Sequence, residues 1–143
     1  MLCRESSVPL VRRILVLIGW VAVCVLSACQ PAKLSELEED VFGLRCGFSS
    51  CHSGAAPARG LDLSAGNSYE AMVGVEAQEP GYTLVVPGDV EGSFLVKVLR
   101  EDIYSADDDS GEPSVRQMPP GAALSDSEIE RVESWIAAGA EDN

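Results

Sequence analysis

The chain has 143 residues, of which 23 are Asp or Glu and 10 are Lys or Arg, for a formal charge of −13. That length suits one domain, or one domain plus a targeting segment. So acidic a balance speaks against nucleic acid as a partner, since phosphate contacts need clustered Lys and Arg, and a single histidine excludes sites needing two, His-Glu-x-x-His zinc proteases among them.

Arg4, Arg12 and Arg13 form a basic start, and Ile14 to Ala28 is a 15-residue uncharged, mostly apolar run. These are the n-region and h-region of a secretory signal. The run ends Leu26-Ser27-Ala28-Cys29, which resembles the bacterial lipobox, whose cysteine is lipidated and becomes the new N-terminus. The alternatives are a retained anchor or an ordinary cleaved signal. A span needs about 20 apolar residues, and extending the uncharged stretch to Ala32 reaches only 19, with Gln30 and Pro31 inside it. Residues 1–28 therefore read as a lipoprotein signal peptide, 29–34 as a lipidated tether and 35–143 as the folded domain. The expected location is the cell envelope, with Cys29 as the membrane anchor. Gln30 after Cys29 resembles the outer-membrane sorting pattern, so the outer membrane or a periplasmic face is expected.

Cleavage before Cys29 leaves 115 residues with 7 basic and 22 acidic side chains, a charge of −15. Cys3 and Cys24 leave with the signal and Cys29 carries the lipid, so Cys46 and Cys51 remain, in an oxidising compartment.

Ser35 and Glu38 have the spacing of a capping box. Leu37, Val41 and Leu44 follow at helical spacing with Phe42 beside them, which predicts a first helix to about Arg45. The stretch from His52 to Asn67 is rich in Gly, Ala, Ser and Pro and reads as loop, with Leu61 and Leu63 dipping inward. A short helix is expected over Ser68 to Val73. Tyr82 to Val86 has β propensity, stopped by Pro87-Gly88-Asp89. Glu91 to Arg100 reads as a helix whose start Gly92 weakens.

Glu101 to Leu124 shows little periodicity and contains Asp107-Asp108-Asp109 and then Met118-Pro119-Pro120. The Asp run misses the EF-hand pattern because Gly111 falls where a ligand should be, so a solvated acidic loop is expected. Ser125 and Glu128 repeat the capping box before a stripe of Ile129, Val132, Trp135 and Ile136, and Gly139 suits the C-terminal cap. No internal repeat is visible, and the domain reads as mostly α.

The feature that carries chemistry is Cys46-x4-Cys51-His52, in which the only histidine directly follows the second of two nearby cysteines. This is the logic of a c-type haem site. Two thiols add to the vinyl groups, and the second attachment fixes where the adjacent imidazole reaches. The usual spacing places two residues between the cysteines; here there are four. Two alternatives stay open. One is a local Cys46–Cys51 disulfide, with His52 as a surface or packing residue. The other is zinc, which would need more His or Cys than remain. A haem iron also takes a sixth ligand, and after signal removal the methionines are Met72 and Met118. Met72 lies in a short apolar helix and reads as core. Met118 lies in the long loop, stiffened by two prolines, where a thioether would close the far side and raise the potential.

These residues resemble class I cytochrome c, and more closely the cytochrome c-like domains of planctomycete type found on bacterial exported proteins. The matching pieces are Val41-Phe42, Cys51-His52-Ser53-Gly54, Gly60-Leu61-Asp62-Leu63-Ser64, Val86-Pro87-Gly88-Asp89 with Ser93 and Leu95, and Gln117-Met118-Pro119-Pro120 through Gly139-Ala140. They cover nearly all of Ser35 to Ala140. The resemblance implies three to five helices around a haem pocket with long loops, and one covalent haem c per chain. It implies Cys46 and Cys51 as attachment sites, His52 as proximal ligand and Met118 as distal ligand. The first and last helices would cross beside the haem, with Trp135 and Phe42 in the contact.

The expected function is a lipid-anchored, single-haem carrier of one electron at a time. The mature charge would steer it toward a redox partner with a basic patch. The alternative is a haem-free surface lipoprotein with the same scaffold and a Cys46–Cys51 disulfide, acting as a binding or structural module. No acid/base pair, nucleophile or phosphate loop points to an enzyme. Peroxidase-like activity would require Met118 not to bind iron.

Overall fold

The computed structural model describes residues 30–103 and 114–143. The signal segment, Cys29 and Asp107-Asp108-Asp109 lie outside the described residues. The chain divides into two units, Met1–Gln30 and Pro31–Asn143, and every element below belongs to the second. Among the described residues the fold is mostly α, with four α-helices: α1 (Leu34–Leu37), α2 (Ser68–Met72), α3 (Phe94–Arg100) and α4 (Asp126–Ala137). A π-helix, Glu38–Cys46, continues α1, and a short 3-10 turn covers Ala58–Gly60.

The first helix does not start with the expected capping box. Lys33 is the N-cap residue and offers no side-chain bond. The exposed first-turn amides are taken instead by Asn143: its Oδ1 accepts from Leu34 N–H at 2.8 Å and its carbonyl oxygen from Ser35 N–H at 3.0 Å. Glu38 turns away, and its Oε1 accepts from the Ser68 hydroxyl and from Gly66 N–H. A carboxylate gains more from a buried hydroxyl plus an amide than from one solvated cap.

Past Glu38 the hydrogen bonds widen to i→i+5, as in Gly47 N–H to Phe42 C=O at 2.6 Å. Residues four and five apart then share a face, where an α-helix would align three and four. Leu37, Val41, Phe42 and Cys46 are buried, while Leu44, expected on the apolar face, is 64% exposed. Glycine permits the wide turn, because a Cβ at Gly43 would lie 2.7 Å from the Glu38 carbonyl oxygen.

Tyr82 to Val86 is extended but forms no strand. Single bridges tie Val85 to Val73 and Thr83 to both Glu76 and Ser93. The carbonyls of Thr83 and Leu84 accept from Phe94 and Leu95 N–H, so this segment caps the start of α3. Helix α3 begins at Phe94, later than the sequence predicts. Gly92 N–H is held by Asp89 Oδ1 at 2.9 Å, and Ser93 Oγ donates to the Asp89 carbonyl at 2.7 Å, so both residues belong to the preceding turn.

Helix α4 matches its sequence reading at both ends. Ser125 Oγ accepts from Glu128 N–H at 3.3 Å and Glu128 Oε2 accepts from Ser125 N–H at 2.8 Å, completing the capping box. At the other end Gly139, at φ 110°, turns the chain so that Ala140 N–H reaches Trp135 C=O and Gly139 N–H reaches Ile136 C=O. Val132, Trp135 and Ile136 join Leu37, Val41 and Phe42 in one buried cluster. Thus Phe42 and Trp135 share the core between the first and last helices, and Arg131 to Asp40 at 2.8 Å closes its solvent edge. A second cluster of Ala77, Phe94, Val98 and Val115 has Met118 packed against it.

Candidate functional site

Cys46 ends the π-helix with its side chain inside, because it sits four and five residues from Phe42 and Val41 on the buried face. The chain then loops out through Gly47 to Ser50 and returns. His52 N–H donates to the Cys46 carbonyl at 3.1 Å, which draws the two cysteine-bearing ends of the loop together. The Cys51 carbonyl accepts from Ala58 N–H at 2.7 Å and the His52 carbonyl from Leu63 N–H at 2.7 Å. His52 is therefore pinned at both backbone atoms. Its Nδ1 lies 3.3 Å from the Leu61 carbonyl oxygen. A carbonyl only accepts, so Nδ1 carries the proton in that contact, and in the neutral ring this leaves Nε2 as the acceptor nitrogen.

Cys46, His52 and Met118 all line one cleft with a cavity volume of about 150 Å³. Its walls are mainly apolar, with Phe42, Leu61, Leu95 and Leu99 among them. Cys51 is not among the lining residues and is half-buried in the adjoining loop, its Sγ 3.7 Å from Ser50 Oγ. Met72 is fully buried in the core cluster and does not line the cleft.

Met118 arrives from far along the chain. Its N–H donates to Val98 C=O at 2.7 Å. The preceding Gln117 gives its Nε2 protons to the carbonyls of Leu99 and Arg100 at 3.0 and 2.9 Å, and its N–H to Asp102 Oδ1 at 2.6 Å. These bonds satisfy carbonyls that the end of α3 leaves open and strap the Met118 segment onto that helix.

Burial pushes the Cys46 thiol up to about 11; Arg45 opposes the rise, and Cys51 and Glu128 add to it. A free Cys46 is thus a neutral thiol at neutral pH. Both cysteines are free thiols in this structure. Arg59 is the one Lys or Arg lining the cleft among the described residues, and it holds φ 55° with its carbonyl accepting from Gln78 Nε2 at 2.7 Å. Left-handed backbone at a non-glycine residue is uncommon and clusters at functional sites.

Sequence reasoning did not single out the Leu61 carbonyl, the Gln117 strap or Arg59. A backbone acceptor leaves no trace in a sequence. The Arg59-Gly60 pair, by contrast, has the look of a turn, and the polar Gln117 beside Met118 was the available signal for the strap. One thiol, an imidazole and a thioether line this mainly apolar cleft, with the second thiol in the adjoining loop. Among the described residues no group of three or more His, Cys, Asp and Glu side chains is gathered to hold a bare metal ion, and no helix is long and apolar enough to cross a membrane. No family model, curated protein or solved structure matches this chain.

Proposed function

We propose that this protein is a single-haem c-type cytochrome that carries one electron at a time, anchored in the cell envelope through lipid on Cys29. The observation that carries the reading is the convergence of Cys46, His52 and Met118 on one apolar cleft, with His52 Nδ1 directed to the Leu61 carbonyl. Three of the four residues the group calls for line the cleft, and Cys51 lies in the adjoining loop. Cys46 and Cys51 would hold it covalently, His52 Nε2 would ligate the iron, and Met118 Sδ would take the sixth position. When bound, the haem supplies reversible one-electron chemistry, with no substrate turned over.

The chain's own residues have defined tasks in this reading. The Leu61 carbonyl fixes the tautomer and orientation of His52 and raises its basicity. Phe42, Leu95 and Leu99 exclude water, and a dry setting together with thioether ligation raises the potential. The Gln117 strap holds the Met118 backbone to α3. The partner is a redox protein with a basic patch.

The test is production with a cytochrome maturation system and export to the envelope. Haem that stays on the chain through denaturing electrophoresis, and is lost from Cys46→Ala plus Cys51→Ala, is the expected result. Colourless exported protein whose Cys46 and Cys51 alkylate only after reduction would overturn it. That outcome supports the haem-free scaffold as a binding or structural module.

A further inference from the structure

Met118 sits between two sets of hydrogen bonds. The strap of Gln117 on α3 lies before it. After it, Arg45 Nη2 donates to the Ala122 carbonyl at 3.1 Å and to the Ala123 carbonyl at 3.2 Å, from 77 and 78 positions away. The other arm, Nη1, lies 3.6 Å from Glu128 Oε1. Glu128 gives its second oxygen, Oε2, to the Ser125 cap. The guanidinium is thus oriented from the first turn of α4 while it reaches the loop.

The stretch that Arg45 holds closes weakly on its own. Pro119 and Pro120 bring no N–H, Gly121 turns at φ 77°, and Ala122 N–H meets the Pro119 carbonyl at 3.4 Å. Leu124 is buried in the main core cluster and anchors the far end by packing. Among the described residues, the two bonds from Arg45 are the hydrogen bonds that tie residues 119–124 to another part of the chain. Arg45 is also the residue directly before Cys46, whose side chain turns into the cleft. Neighbouring positions therefore bear the first attachment site and the contact that closes the Met118 loop.

We infer that Arg45 is a positioning residue for the sixth ligand: by holding the Ala122 and Ala123 carbonyls, it keeps the Met118 loop against the segment that bears Cys46 and makes the thioether hard to displace. The inference rests on the electron-carrier reading for the iron. A ligand on a restrained loop loses less freedom on binding than one on a loose loop, so a competitor displaces it less readily. Both carbonyls accept from one nitrogen, so the three protons of a lysine ammonium can serve them at the same position.

The test uses the full chain matured with its haem, as wild type, Arg45→Ala and Arg45→Lys, with free imidazole titrated by absorbance as the competitor for the sixth position. Arg45→Ala should bind imidazole roughly fivefold more tightly and show a lower reduction potential, and Arg45→Lys should recover most of both. Arg131→Ala is the stability control, since Arg131 pairs with Asp40 and reaches no residue of the loop; its imidazole affinity should match wild type. Chain purified without haem supplies a second readout. There Arg45→Ala should quicken amide exchange at Ala122, while Met118 N–H, held by the Val98 carbonyl, changes less. Haem-bearing Arg45→Ala with wild-type imidazole affinity and potential overturns the inference and leaves the electron-carrier reading standing. An equal change in Arg131→Ala also overturns it, because general stability then explains both. If wild type proves colourless the electron-carrier reading falls, and the exchange result alone decides whether Arg45 closes the Met118 loop: unchanged exchange at Ala122 overturns that as well.

Discussion

The His52 imidazole and the Leu61 backbone are joined across nine residues by a contact of 3.3 Å between Nδ1 and the carbonyl oxygen. In the neutral ring this leaves Nε2 as the acceptor nitrogen, on a side chain that lines the cleft. This contact carries the first prediction. His52→Gly should yield protein that keeps covalent haem but loses the low-spin spectrum, and free imidazole should restore it. Met118→Ala should lower the reduction potential. A tenfold loss of preference for the reduced state is about 59 mV, and a fall of at least that size is expected by redox titration.

The thiols give a second prediction, for chain made without haem attachment. Cys51 is half-exposed and Cys46 is buried, so iodoacetamide should modify Cys51 first at mild alkaline pH. Burial raises Cys46 from 9.0 to about 11 in the folded state. Folding then favours the neutral thiol, so its contribution is complete below pH 9 and is lost as the pH rises toward 11. Urea midpoints should fall across that window, and Cys46→Ala should remove the fall. Stability unchanged across the window would contradict the burial of this thiol.

Glu38 ties the π-helix to α2. Its carboxylate accepts from Gly66 N–H and from Ser68, whose side chain is fully buried. Glu38→Ala leaves a buried hydroxyl and an amide without their acceptor, at a cost of roughly 1–3 kcal/mol. Urea unfolding of the single variant and of Glu38→Ala plus Ser68→Ala measures it. The double variant should recover part of the loss, since the orphaned hydroxyl is gone.

Helix α4 supplies a pH prediction of the opposite sign. The Ser125 amide and hydroxyl bonds hold the Glu128 carboxyl below the usual carboxylate range. Its folded value is lower than its unfolded one, so the stabilisation is present above the unfolded value and is lost as the pH falls through the folded one. Ser125→Ala should cost about 1 kcal/mol at neutral pH, and less in acid. Equal costs at both ends of the range would show that Glu128 plays no part in the cap.

The backbone at Arg59 gives a last prediction. At φ 55° a glycine is more comfortable than an arginine, so Arg59→Gly should leave stability unchanged or raise it by up to about 1 kcal/mol. The same change removes the cation at the cleft. A clear loss of stability would mean that the Arg59 side chain supports the fold itself.

What could be read from the sequence was local. Helix α4 was legible at both ends because Ser125, Glu128, the apolar stripe and Gly139 act within their own turns. The pairing of His52 with Cys51 was legible because adjacency needs no fold, and the inward turn of Leu61 and Leu63 followed from two leucines in a loop of small and polar residues. The start of the first helix was not legible. Its cap is Asn143, 109 positions from Leu34, and the glutamate that looked like a cap answers to Ser68, 30 positions from it. The exposure of Leu44 was not legible either, since helical spacing assumes an α turn and the chain widens to a π turn. Tyr82 to Val86 carried the propensity of a strand, but its partners on both sides are single bridges. The convergence of Met118, Cys46 and His52 on one cleft was decided by the Gln117 strap and by packing around Phe42. Short-range hydrogen bonds follow from neighbours in sequence; a cleft exists only once distant segments have excluded water together.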